Sequence, residues 1–267
     1  MAWQPTTIRR PDRVFATATE TVRVTTDAGP GFLKALGNRG GPQYLAADWL
    51  GTQLAGWLGL PIFEFAIVQV TAEDEIQFKN GQAQVGPAFI TREQSGMTWG
   101  GTADELSLLV NPEDIGKLIL FDTWTRNCDR HPPDLTARKP NRGNVFLSNE
   151  GMEGGKFQLV AMDHTHCFNC GRDLNAQVAH IDLIKDERMY GLFPEFKPFI
   201  RNHLQALGDA ISKLKTLDKL WLQGLIGSIP AEWQVDAAGR AALATLIYDR
   251  ADYVDETFLA LLETKMA

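Results

Sequence analysis

The sequence predicts an α+β protein with a β-rich front and a mostly helical back, joined near residues 95–110. Three observations carry this. Early in the chain, short apolar stretches are separated by glycine-containing turns. Asn111-Pro112-Glu113-Asp114 is a strong helix-start signal, with a capping Asn, a Pro at the first helical position and acids in the first turn. From about Asn175 onward, apolar residues recur mainly at helical spacing.

Each element follows from local chemistry. Thr21-Val-Arg-Val-Thr25 alternates polar and apolar residues, Asp27-Ala-Gly-Pro-Gly31 supplies a turn, and Phe32-Leu-Lys-Ala-Leu36 resumes a strand, which makes a hairpin. A glycine-rich loop, Gly37 to Pro42, precedes a helix over 44–58, whose Leu50, Leu54 and Trp57/Leu58 share one face; Gly59 and Pro61 end it. Strands are expected over 63–70 and 86–92, with a turn at Asn80-Gly81, and 96–101 reads as a loose connector. A helix over 112–126 is apolar over much of its surface and therefore buried, and Pro132-Pro133 forbids its continuation. A hairpin follows, with arms 144–148 and 157–162 around a turn near Met152. The best later helices are 197–214, 217–225 and 237–262. Trp57, Trp124 and Trp221 lie at helical spacing among apolar residues and are read as core. The chain is expected to divide into a β-rich part, residues 1–95, and a mostly helical part, residues 96–267, that ends in the C-terminal helices.

Composition narrows the function classes. The 267 residues are 44% apolar and 22% charged, as in ordinary globular proteins. No stretch approaches the ~18 consecutive apolar residues of a membrane span. The N-terminus lacks a signal-peptide pattern, so a cytoplasmic protein is expected, without membrane association. The formal charge of −7 argues against direct nucleic-acid binding. Three cysteines, Cys128, Cys167 and Cys170, do not suggest a disulfide framework.

The chemistry concentrates between Asn127 and Phe168. Asp129 follows the buried helix, Asn144 opens the first arm of the hairpin, and Asp163 closes the second. Pairing of the arms brings Asn144 close to Ala161 and Met162, and hence to Asp163, with Asp129 able to fold over the same end. Two carboxylates and an amide suit phosphoryl transfer: one carboxylate and the amide oxygen hold magnesium, and the second carboxylate orients the attacking hydroxyl. Lys34, within the early strands, is the candidate for the nucleotide phosphates, and Asp48 on the following helix is its candidate partner.

With these residues in place the chain resembles the HipA-like kinase family, bacterial serine/threonine kinases of toxin–antitoxin type and their relatives. Its carriers are Phe32-Leu-Lys-Ala35, Leu54-Ala-Gly-Trp-Leu-Gly-Leu-Pro61, Leu109-Val-Asn-Pro-Glu-Asp114, Phe121 to His131, Asn144-Val-Phe-Leu147, Met162-Asp-His164 and Ile229-Pro-Ala-Glu-Trp233. The Asn-x-Asp-Arg-His segment is the most specific of them. The resemblance implies a bilobed protein-kinase-like fold with ATP and Mg2+ in the cleft. It makes Lys34 a phosphate contact, Asp129 the catalytic base, and Asn144 and Asp163 the metal ligands. Strand 86–92 would lead into the adenine-binding hinge. Phe89 and Ile90 of that strand, and His131, are accordingly expected among the nucleotide-binding residues. The implied acceptor is a protein serine or threonine, and an antitoxin is the implied partner, although the length points to a stand-alone HipA-like domain.

The sequence departs from the family pattern in two places. The metal-binding Asn commonly lies three residues after the His, where this chain has Asp134, and residues 133–142 read as an insertion. Asn144 is the ligand if that insertion loops out; otherwise Asn141 or Asp134 is. Asp48 replaces the usual Glu. The alternatives are an inactive nucleotide-binding or interaction module, a small-molecule or lipid kinase, and a zinc protein built on His164-Thr-His-Cys-Phe-Asn-Cys170. The plain reading of that run is buried thiols, with the His164 ring hydrogen-bonded beside Asp163.

Overall fold

The computed structural model describes residues 3–15, 17 and 19–266. Its front is a five-stranded antiparallel sheet in the order β1-β2-β3-β7-β4. The strands are β1 (Ile8–Val14), β2 (Val22–Thr26), β3 (Gly29–Lys34), β4 (Phe65–Val70) and β7 (Gly86–Arg92), and between β4 and β7 lies the small hairpin of β5 (Gln77–Phe78) and β6 (Gly81–Gln82). The turn in Asp27-Ala-Gly-Pro-Gly31 falls one residue pair earlier than its composition suggests, with Thr26 opposite Gly29. The polar edge strand β1, Ile-Arg-Arg-Pro-Asp-Arg-Val, has no alternating apolar signal; backbone pairing with β2 defines it.

Helix α1 (Pro42–Leu58) carries Pro in its first turn and stops at Gly59, whose left-handed φ of 91° lets its N–H reach the carbonyls of Ala55 and Gly56. The residues after β7 were expected as a loose connector, but β8 (Gly96–Thr98) pairs with β9 (Val145–Ser148), which pairs in turn with β10 (Gln158–Ala161). All three residues of β8 are exposed, so no burial pattern marks it in the sequence.

The rest is helical: α2 (Ala103–Ser107), α3 (Asp114–Thr125), the kinked turn α4 (Cys167–Cys170), α5 (Ile181–Ile184), α6 (Lys197–Asn202), α7 (Leu204–Leu214), α8 (Lys219–Gly227) and α9 (Ala237–Met266). The expected single helix over 197–214 breaks at His203, whose φ/ψ of −130°/33° is not helical. Asn111 does not cap α3. Its amide donates to Asp114 Oδ2 at 2.7 Å and to the Leu159 carbonyl at 3.1 Å, and its oxygen accepts the Leu159 N–H at 2.8 Å, tying the helix start to β10.

The buried apolar residues form two clusters. A small one lies within the front sheet, around Val22, Val24, Leu33, Val68 and Ile90. The large one runs through the helical part and includes α1, with Leu50, Leu54, Phe121, Trp124 and Trp233. Helix α1 thus bridges the sheet to the body. Trp57 stacks on Trp221, with ring centroids 6.1 Å apart. Trp221 is 38% exposed, so it lies at the edge of the core and not inside it. Arg250 of α9 is fully buried; its guanidinium donates to the carbonyls of Thr123 (2.8 Å) and Trp124 (3.1 Å), in the last turn of α3, and to those of Leu183, Ile184 and Asp186. No helix among the described residues is long and apolar enough to cross a membrane.

Candidate active site

Lys34 closes β3, and its Nζ reaches out of the sheet to two carboxylates: Asp48 Oδ2 of α1 at 2.6 Å and Asp163 Oδ1 at 3.0 Å. The second oxygen of Asp48 accepts the His164 N–H at 2.7 Å. The shorter Asp suffices because α1 lies close to the 163–164 segment. A Cβ at Gly51 would sit 2.4 Å from the His164 Cβ, so only glycine permits this approach.

One cation between two buried carboxylates splits their acidities. Burial raises Asp163, but Lys34 and the Thr165 hydroxyl outweigh it and hold Asp163 well below the usual carboxylate range. For Asp48 burial dominates, helped by the charge of Asp163, and its pKa rises in spite of Lys34. Burial alone would lower Lys34; the two carboxylates carry it above its ordinary value. Asp163 has a left-handed φ of 53°, a conformation that costs a non-glycine residue energy and that tertiary contacts must hold.

The second half of the site surrounds Asp129. Its Oδ2 accepts from the amides of Asn144 (2.7 Å) and Asn141 (3.1 Å), and its Oδ1 lies 3.2 Å from Arg138 Nη1. Asn141 Nδ2 also reaches Asn144 Oδ1 at 3.0 Å. Arg138 contacts the Cys128 thiol at 3.3 Å and His166 Nε2 at 2.9 Å. The Thr165 hydroxyl meets His166 Nδ1 at 3.1 Å and donates to Asp163 Oδ1 at 2.9 Å, which links the two halves.

Arg130 holds this arrangement from below. It is fully buried, pairs with Asp122 of α3, and donates to the carbonyls of Asn144 (3.0 Å) and Met162 (2.7 Å). A single guanidinium therefore fixes the backbone of both hairpin ends, which is why Asn144 and Asp163 share one side. Asn127 completes the scaffold, donating to Asp122 and accepting the Asp129 N–H at 3.2 Å.

The structure brings together Lys34, Asp48, Asp129, Asn144 and Asp163. It does not bring in Phe89, Ile90 or His131. Phe89 and Ile90 lie inside the sheet, 2% and 0% exposed, with β7 hydrogen-bonded to β3 on one side and β4 on the other. They have no free surface for a nucleotide, and the segment that crosses between the lobes is 93–95. The His131 ring packs edge-on against Phe193 at 4.9 Å, and burial first, offset by Glu195, sets its lowered pKa. Asp134 is exposed and accepts from the Thr136 N–H and hydroxyl, away from the cluster. Asn141, the other alternative, stands beside Asn144.

Arg138 was not foreseen, and Thr165 and His166 were singled out only within the zinc alternative. They sit in loops without periodicity, and only the Asp134-to-Asn144 spacing hinted that the insertion brings something of its own. The His164 ring is not hydrogen-bonded as expected. Both its nitrogens are buried without a partner, its ring meets Phe121 edge-on at 5.0 Å, and burial drives its pKa well down. The Cys-x-x-Cys pair does not converge. Cys167 donates to Thr125 and Cys170 to the Arg126 carbonyl at 3.6 Å, and the mutual influence of Cys170 and Cys128 lowers Cys170 to about 7 and raises Cys128. Among the described residues no group of three or more His, Cys, Asp or Glu side chains is arranged to hold a metal.

Comparison with known proteins gives a concordant picture. Residues 32–254 match the family described as HipA-like kinase. No curated protein matches. Among solved structures, the proinflammatory kinase CtkA of Helicobacter pylori superposes with a TM-score of 0.59 at 13% identity, covering 98% of each chain. At that identity the likeness establishes a shared fold.

Proposed function

Because the chain belongs to the HipA-like kinase family, we propose that it is an ATP- and Mg2+-dependent phosphotransferase acting on a serine or threonine hydroxyl of a protein. The observation that carries this is the convergence of Lys34, from the sheet, with Asp163 and Asp129, from the helical part, in one connected polar network.

The donor set fits a small hard cation. Asp163 contributes a carboxylate held ionised by Lys34, and Asn144 an amide oxygen whose protein partner is Asn141. With Asp48 and Asp129 added, carboxylates outnumber the cations Lys34 and Arg138, so the site carries a net negative charge that favours a cation. When bound, Mg2+ would neutralise phosphate charge and shield the leaving oxygen. Lys34 is placed to bind the nucleotide phosphates, Asp48 orients it, and the backbone of 93–95 is the surface for adenine. Asp129 orients the acceptor hydroxyl and receives its proton. Cytoplasmic residence and association with an antitoxin belong to the same reading.

The test is thermal stability with and without Mg-ATP for wild type and Asp163→Asn. At ~100 times the dissociation constant, Mg-ATP stabilises the fold by about 2.7 kcal/mol. The shift requires Mg2+ and disappears in the variant. Absence of a shift in the wild type rejects the reading.

A further inference from the structure

Arg138 has no task in the phosphotransfer described above, yet it sits on the base. Residues 132–141 hold it there in a braced loop. Pro132, Pro133 and Pro140 restrict both ends. The Asp134 carboxylate accepts the Thr136 N–H at 2.9 Å, and its carbonyl accepts the Arg138 N–H at 3.3 Å.

Arg138 is held unlike the structural arginines. Arg130 is fully buried and saturated by a carboxylate and two carbonyls. The Arg138 side chain is 36% exposed, and its acceptors are one carboxylate oxygen at 3.2 Å, a thiol and an imidazole nitrogen. Its remaining N–H groups have no protein acceptor among the described residues.

Its position is also specific. Because the Thr165 hydroxyl donates to Asp163, it accepts from His166 Nδ1, and His166 Nε2 is left to accept from Arg138. The guanidinium therefore lies directly against Asp129, which would take the hydroxyl proton, and is linked through His166 and Thr165 to Asp163, which would hold the metal. In-line transfer moves phosphorus between those two positions.

We infer that Arg138 is a catalytic residue that donates to the equatorial oxygens of the transferring phosphoryl group; this rests on the kinase reading. In the step, the acceptor oxygen bonds the γ-phosphorus and the bond from that phosphorus to the β,γ-bridging oxygen breaks. The electron pair leaves on ADP, and the hydroxyl proton passes to Asp129. A planar fork suits the planar phosphoryl group, and the insertion supplies it.

Calorimetric binding of Mg-ADP, alone and with aluminium fluoride as a mimic of the transferring group, tests this on wild type, Arg138→Ala and Arg138→Lys. Aluminium fluoride is expected to tighten Mg-ADP binding in the wild type. Arg138→Ala is expected to lose about 10- to 100-fold of that gain with Mg-ADP affinity unchanged. Arg138→Lys recovers part of it, having the charge without the fork. An equal gain in wild type and Arg138→Ala overturns the role of Arg138 and leaves the kinase reading standing. Tighter Mg-ADP binding and faster ATP hydrolysis in Arg138→Ala also overturn it, making Arg138 a latch over Asp129. Wild type that binds no Mg-ADP rejects the kinase reading and this inference together. If Arg138→Ala melts early by circular dichroism, Arg138→Gln supplies the same comparison.

Discussion

The two halves of the site use similar residues and hold them differently. The Lys34–Asp48 pair is sealed, with side chains 12% and 4% exposed, and its opening to solvent lies at Asp163, 27% exposed. Around Asp129, itself 15% exposed, the opening lies at Arg138, at 36%. Electrostatic interactions strengthen where water is excluded, so the lysine half is a preset clamp suited to a ligand of fixed shape such as a triphosphate. The aspartate half opens to water through Arg138, which under the proposed function suits varied acceptor side chains.

Four experiments break or sharpen this contrast. Asp129→Asn should lower ATP turnover by about 10²- to 10⁴-fold, the usual worth of a general base, while the Mg-ATP thermal shift survives. Equal loss of both would merge the two halves into one. Next, Arg130→Met should cost about 3–5 kcal/mol in denaturant unfolding, because Asp122 is left buried and unpaired; adding Asp122→Leu should recover most of it. A third variant, Asp48→Asn, leaves Lys34 to Asp163 alone. It should weaken Mg-ATP binding about tenfold, or ~1.4 kcal/mol, by titration calorimetry.

The smallest effect is in pH. Burial lowers His131, His164 and His166 from the ordinary 6.5. Below that value the unfolded chain takes up protons that the folded chain refuses. The histidines' contribution to stability is therefore full above about pH 6.5 and declines as the pH falls through the lowered values, opposed in part by Asp122, which burial raises to about 6. Melting curves between neutrality and about pH 5.5 should show the decline, and His164→Phe should flatten it.

The sheet-and-helix division was legible because burial imposes periodicity. Val22 and Val24 alternate with polar residues, and α3 is apolar over much of its surface and buried along nearly its whole length. The meeting of Asn144 with Asp163 was legible too, since Val145 pairs with Ala161 and register follows from a hairpin. What could not be read depends on contacts between distant segments. Arg138 reaches His166 across 28 positions, and Arg130 reaches Met162 across 32. Neither leaves a periodic trace. The apolar character of Phe89 and Ile90 marks the burial of their strand and says nothing about where the chain leaves the sheet. The insertion alone announced itself, through two prolines and a displaced asparagine.

Arg250 bears on how the protein comes into being. It satisfies the last carbonyls of α3, directly ahead of the 127–131 segment, from a helix translated after every residue of the site. A nascent chain stopped short of Arg250 has Lys34, Asp129, Asn144 and Asp163 in hand but lacks the brace beneath them. Under the proposed function, a chain that lacks α9 is therefore expected to lose the ordering of the 127–131 segment while still holding every residue of the site.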